Sequence, residues 1–258
     1  MQRFKHAAKR GPALLIWMLA ALLLAGCENE TGSTPLGGGE DTHDHDHEAH
    51  GDHPGRLAIL SRDGAGDQLY AYDLEEQALL PGSLALNNAP SALTTSPGKR
   101  FVLAMQRNAN QVQIIDGGLY RHDDHVDEVA PGLVGTLTGP RPTHYRVHGE
   151  QAALFYDGDA GSALMAQVQV LTDHSLESAS MEADHTFASA HHGVAEPRGE
   201  IVLATHRTAA SGLPEKVDIL HQHGDHYHGE GTTSLGCPDL HGAGSKEEYY
   251  VFGLFFFF

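Results

Sequence analysis

Paired cysteines, long helices and catalytic signatures are what this chain lacks. Cys27 and Cys237 are its only cysteines, too few for a disulfide framework. No His-Glu-x-x-His, Gly-x-Ser-x-Gly or phosphate-binding glycine loop occurs, so the common hydrolase and nucleotide-binding classes have no support, and we expect a protein that is not an enzyme. Positive charge is scarce as well: 16 basic residues face 34 acidic ones, a net charge of −18. Such a field repels nucleic acid and attracts cations. No amphipathic helix of ordinary length can be read in the body of the chain.

The basic residues that exist are concentrated at the start. Arg3, Lys5, Lys9 and Arg10 precede an apolar run from Pro12 to Ala25, which has the length of a signal-peptide core rather than of a spanning helix. The run ends in Leu24-Ala25-Gly26-Cys27, which resembles the bacterial lipoprotein signal. This predicts a signal peptide over residues 1–26, lipidation of Cys27 and a membrane-tethered periplasmic protein. Glu28 after the cysteine favours the outer membrane. Without residues 1–26 the chain keeps 12 basic and 34 acidic residues, a net charge of −22. About 230 remaining residues suffice for one large core.

What the chain has in excess is histidine, 20 residues in all. Five lie in "EDTHDHDHEAHGDH", at His43, His45, His47, His50 and His53. Residues 27–55 contain almost no large apolar side chains, so they read as a flexible arm. Imidazole is a good ligand for zinc at neutral pH and carboxylates complete such sites, so the arm is expected to bind divalent metal labily.

From Arg56 onward the chain is a series of short apolar stretches bounded by Gly, Pro, Asn or Asp: "RLAILS", "QLYAYDL", "RFVLAMQ", "QVQIID", "AALFYD", "AQVQVLT", "EIVLATH", "VDILHQ" and "EYYVFG". That is the pattern of an all-β protein. Stacking the stretches reveals a repeat in which a short segment, a turn, an apolar strand and a second strand of the form x-Val-x-Ile/Val-Leu/Ile recur. Ala92, His144, His192 and His241 occupy equivalent positions at separations of 52, 48 and 49. Periods near 50 with several short strands are those of β-propeller blades. The fourth copy runs into "LFFFF". We therefore expect a partial propeller over residues 56–253, an aberrant apolar tail at 254–258 and a chain truncated within its last copy.

Equivalent residues on successive blades occupy equivalent places around the propeller axis. His144, His192 and His241 are accordingly expected to converge as zinc ligands, with His191 and His148 as second choices for ligands or for residues that orient a ring. Two Gly-bounded segments add candidates. "GGLYRHDDHVDE" offers His122, Asp123, Asp124, His125 and Asp127, and "HQHGDHYHGE" offers His221, His223, Asp225, His226 and His228; both read as exposed loops. "YDGDAG" at 156–161 lacks the rest of a calcium loop. Cys237 is either a soft ligand near His241 or a small buried residue.

Taken together, the signal sequence, the His/Asp-rich arm, "IIDGGLY", "GPRPTHYRVH", "HHGVAEPRGE", "LATHR" and "CPDLHG" resemble the AztD-type periplasmic zinc metallochaperones, β-propellers encoded beside zinc ABC importers. The resemblance spans roughly residues 40 to 253. It implies zinc as cargo, the importer's solute-binding protein as partner, His144, His192 and His241 in the metal-binding region, and the N-terminal histidines as an accessory or exchange site. The alternative reading is a surface propeller that acts as an enzyme or adhesion scaffold, its histidines incidental.

Overall fold

A computed structural model describes residues 53–63, 66–122 and 125–254. Those residues form antiparallel meanders. The first contains β1 (Arg56–Asp63), β2 (Gly66–Asp73), β3 (Ala78–Leu79) and β4 (Leu84–Ala85), with β2 paired to the other three. The second holds β5 (Ala92–Thr95), β6 (Phe101–Gln106) and β7 (Gln111–Asp116); β8 (Leu119–Arg121) and β9 (Val126–Glu128) then form a side hairpin before β10 (Gly132–Thr138) closes the blade in the order β5-β6-β7-β10. The third is β11 (Pro142–His148), β12 (Gln151–Tyr156), β13 (Gln167–Leu171) and β14 (Ala183–Thr186). The fourth is β15 (Ala195–Arg198), β16 (Ile201–His206), β17 (Lys216–His223) and β18 (His226–Thr232). The pair β19 (Gly242–Lys246) and β20 (Tyr249–Gly253) follows.

Every apolar stretch read from the sequence lies in a strand: β1, β2, β6, β7, β12, β13, β16, β17 and β20. The first strand of each later meander packs beside the first strand of the next, β11 against β15 and β15 against β19, so first strands are innermost. The outer strands of blades three and four touch through one parallel bridge, Asp184↔His226. This is a β-propeller arrangement.

The cores lie between blades, which explains why the middle strands are apolar throughout. On β12, Ala153 and Phe155 enter the core shared with blade four. Ala152, Leu154 and Tyr156 enter the one shared with blade two. Successive residues of a strand point to opposite faces, so a strand flanked by blades on both sides carries no polar alternation. A third core joins Leu69 and Leu86 of the first blade to Ala104 and Ile115 of the second.

The two polar segments read as loops are instead hairpins. "GGLYRHDDHVDE" builds β8 and β9, and "HQHGDHYHGE" spans the end of β17 and most of β18. β8 and β9 form their own two-stranded sheet and β18 is the last strand of its blade, so cross-strand pairing holds them, and apart from Tyr227 they bury little apolar surface that a sequence pattern could show. Among the described residues no helix is long and apolar enough to cross a membrane.

Candidate metal centre

His144, His192 and His241 sit at the N-terminal ends of three consecutive innermost strands: His144 within β11, His192 just before β15 and His241 just before β19. A β-bulge shifts the register of β11 between Pro142 and His144, which re-aims the His144 side chain. Nε2 of His192 lies 3.0 Å from Nε2 of His144 and 3.1 Å from Nε2 of His241. One ligand atom from each of the three rings falls within 4.8 Å of the others, and all three residues are half-buried.

Those spacings suit a metal. Two nitrogens bound to one tetrahedral zinc at about 2.0–2.1 Å stand about 3.3 Å apart, so the His144–His192 and His192–His241 contacts each lie within a few tenths of an ångström of the coordinating spacing. Three clustered imidazole nitrogens cannot all be satisfied by hydrogen bonds among themselves, because a neutral ring has one N–H and one lone pair.

Orientation comes from a residue that the sequence did not single out. Nδ1 of His192 is 2.9 Å from Oδ2 of Asp157; the carboxylate can only accept, so the proton sits on Nδ1 and the Nε2 lone pair faces the cluster. Asp157 follows β12 and is buried. Burial alone would push its carboxyl up, but the His192 bond and the Arg107 guanidinium hold it below the ordinary range. Arg107 Nη2 donates to Asp157 Oδ2 at 2.6 Å and its Nη1 bonds the Arg141 carbonyl and Thr143 Oγ1. The buried Oδ1 of Asp157 has no hydrogen-bond partner. Burial, and then the neighbouring His192 and His241, depress His144 to about 4, which keeps its ring neutral and able to coordinate.

Close packing places His192. Gly193 follows it, and a Cβ there would lie 2.4 Å from the Phe155 ring and 2.7 Å from Thr205 Oγ1. His191 points the other way and is buried. Its Nδ1 faces the Ser189 carbonyl and its Nε2 the Thr205 carbonyl, each at 3.1 Å, so it presents no nitrogen to the hub. His148, at the far end of β11, contacts Ser245 Oγ at 3.1 Å. The structure therefore brings together the three equivalent histidines and neither second choice.

The remaining candidates fall elsewhere. His122 and His125 stack at 4.6 Å on the exposed β8–β9 hairpin, with Asp127 3.2 Å from His122 Nε2 and 3.7 Å from His125 Nε2. His53, the last histidine of the acidic tract, is buried, its Nε2 3.5 Å from Asp73 and 3.6 Å from both Glu75 and Glu128. The Gly55 N–H donates to His53 Nδ1 at 2.9 Å, which fixes the His53 proton on Nε2. Cys27, His43, His45, His47, His50, Asp123 and Asp124 lie outside the described residues. Cys237 is free and exposed rather than buried. A cleft of about 1000 Å³ opens between the first two blades, and none of the three hub histidines lines it.

No family model matches the chain. Among solved structures, the crystal structure of Citrobacter koseri AztD aligns at 24% identity with a TM-score of 0.61, over 76% of this chain and 51% of that one. Apo AztD from Citrobacter koseri aligns at 23% identity and a TM-score of 0.61, over 76% and 50% respectively. The chain spans about half the length of these structures, and over that span it has the AztD-type β-propeller fold.

Proposed function

We propose that this chain is an exported, non-enzymatic zinc carrier of the AztD type, which buffers zinc and delivers it to the solute-binding protein of a zinc ABC importer. The observation that carries the reading is the meeting of three Nε2 atoms from three successive blades, at 3.0 and 3.1 Å, with one ring oriented by a buried carboxylate. Zinc is the cargo: His144, His192 and His241 hold it, and a water or a donor from the partner completes the tetrahedron. In this reading residues 1–26 are removed as a signal peptide, Cys27 is lipidated, and residues 27–55 form the arm joining the membrane to the propeller that begins at Arg56. His43, His45, His47 and His50 capture zinc labily, and His122 with His125 are accessory acceptors.

Transfer proceeds by ligand exchange. The hub is half-buried, so an incoming histidine can replace the ligands one at a time, and no step needs a free ion. The test is elemental analysis of the purified mature protein followed by mixing with a zinc-importer solute-binding protein. The wild-type protein should hand over zinc faster than free exchange through a chelator allows. A His144→Ala/His192→Ala variant that still does so would defeat the proposal.

A further inference from the structure

A second set of imidazoles lies on the β17–β18 hairpin, away from the hub. The register pairs His221 with His228 and His223 with His226, and cross-strand partners share a face of the sheet. All four rings therefore stand on one face of the hairpin, while Leu220 and Tyr227 on the opposite face are buried in the core between blades three and four. Neighbouring rings are close: centroids are 5.4 Å apart for His221 and His223, 5.0 Å for His223 and His228, and 4.5 Å for His226 and His228.

The proton positions follow from the partners. His226 Nδ1 lies 3.0 Å from Oδ1 of Asp225 in the turn, so that nitrogen carries the hydrogen and Nε2 presents its lone pair. That lone pair faces Nε2 of His228 at 2.8 Å. A carboxylate bonded to the distal nitrogen of an imidazole is the arrangement that orients metal-ligating histidines and raises their basicity. Glu230 adds a carboxylate beside His221 and His223. The turn end of the hairpin is anchored: the Asp184 N–H donates to the Asp225 carbonyl at 3.2 Å and His185 Nδ1 donates to the Tyr227 carbonyl at 2.8 Å. The donors therefore stand on a braced turn.

We propose that this hairpin face is a second site for a divalent transition-metal cation of the zinc class. His226 and His228 are its primary nitrogen ligands, Asp225 positions His226, and His223 is the adjoining donor. Imidazole donors with few carboxylates favour such cations over calcium or magnesium. The site is exposed and needs the two Nε2 atoms to part by about half an ångström to reach the tetrahedral spacing, so it exchanges metal more readily than the hub.

The test uses the full mature chain carrying His144→Ala and His192→Ala, so that the outcome does not depend on the hub. Zinc stoichiometry and affinity are compared with and without His226→Ala/His228→Ala, and the visible bands of bound Co(II) report tetrahedral coordination. The expected result is the loss of about one zinc per chain and of part of the Co(II) absorption, with Asp225→Asn keeping the stoichiometry but weakening the affinity about 10- to 100-fold. Equal stoichiometry and equal Co(II) spectra in the paired proteins would overturn the proposal. Should the double alanine variant fail to fold by circular dichroism, His226→Gln/His228→Gln, which retains polar side chains on the exposed face, decides by the same two readouts.

Discussion

Asp157 Oδ2 stands 2.9 Å from Nδ1 of His192 although 35 positions separate the two residues in the chain. The carboxylate belongs to blade three and the imidazole leads into blade four, and Arg107 from blade two holds the same oxygen. Three blades thus share one ion-pair network centred on a buried carboxylate, and its open end is the Nε2 cluster.

Asp157→Asn should weaken zinc binding about 10- to 100-fold, the usual effect of losing the carboxylate behind a ligating histidine. The neutral amide accepts the Nδ1 proton less strongly, so His192 becomes a poorer donor. Competition with a chromophoric chelator at pH 7.5 reads the change, with a thermal melt to confirm the fold. Unchanged affinity would show that His192 needs no orientation.

Single alanine substitutions at His144, His192 and His241 should each remove high-affinity binding, whereas His148→Ala should stay within about twofold of wild type, because His148 faces Ser245 rather than the cluster. His191→Ala should leave zinc affinity nearly intact but cost stability, about 1–3 kcal/mol, by stripping a buried carbonyl of the one N–H that the neutral ring donates. Titration and denaturant unfolding separate the two effects.

Acid should destabilise the metal-free protein through His144. Its folded-state value is depressed to about 4, below the ordinary value near 6.5 for an unfolded chain. As pH falls through about 6.5 the unfolded chain takes up the proton first, so stability declines until about pH 4 and then levels off. The contribution is well under about 3 kcal/mol, because the ring is half-exposed and screened. Zinc affinity should also fall over this range, since protons compete for the ligand nitrogens. Comparing unfolding midpoints at pH 7.5 and 5.0 for wild type and His144→Gln tests the assignment: the variant should show the smaller change.

Gly193→Ala should be costly for both fold and site. The new methyl meets the fully buried Phe155 ring and Thr205, neither of which can swing into solvent, so about 1–3 kcal/mol is lost to overpacking. Relief requires moving the backbone next to His192, and zinc affinity should fall with stability. A variant with normal affinity and a normal melting temperature would contradict the packing argument.

The amino-acid order alone carried the β class, the middle strands of each repeat copy, and the equivalence of His144, His192 and His241. All three are local, periodic information: strands alternate or run apolar over a few residues, and a repeat near 50 residues puts matching side chains at matching places. The innermost strands β5, β11, β15 and β19 read only as short segments, and β8, β9 and β18 stayed hidden because they are polar and are held mainly by cross-strand pairing. The period favoured His192 over His191 as the inward ring; the tertiary structure adds the reason, since adjacent residues of an extended chain face opposite ways and Gly193 packs against Phe155 so that His192 turns inward. Asp157 was passed over inside what looked like an unfinished calcium turn. Its role, like the carboxylate behind His226, depends on how one blade is set against the next or how a turn aims its side chain, and no local pattern encodes that. Period and polarity specify which residues repeat; lateral packing between blades decides which of them meet.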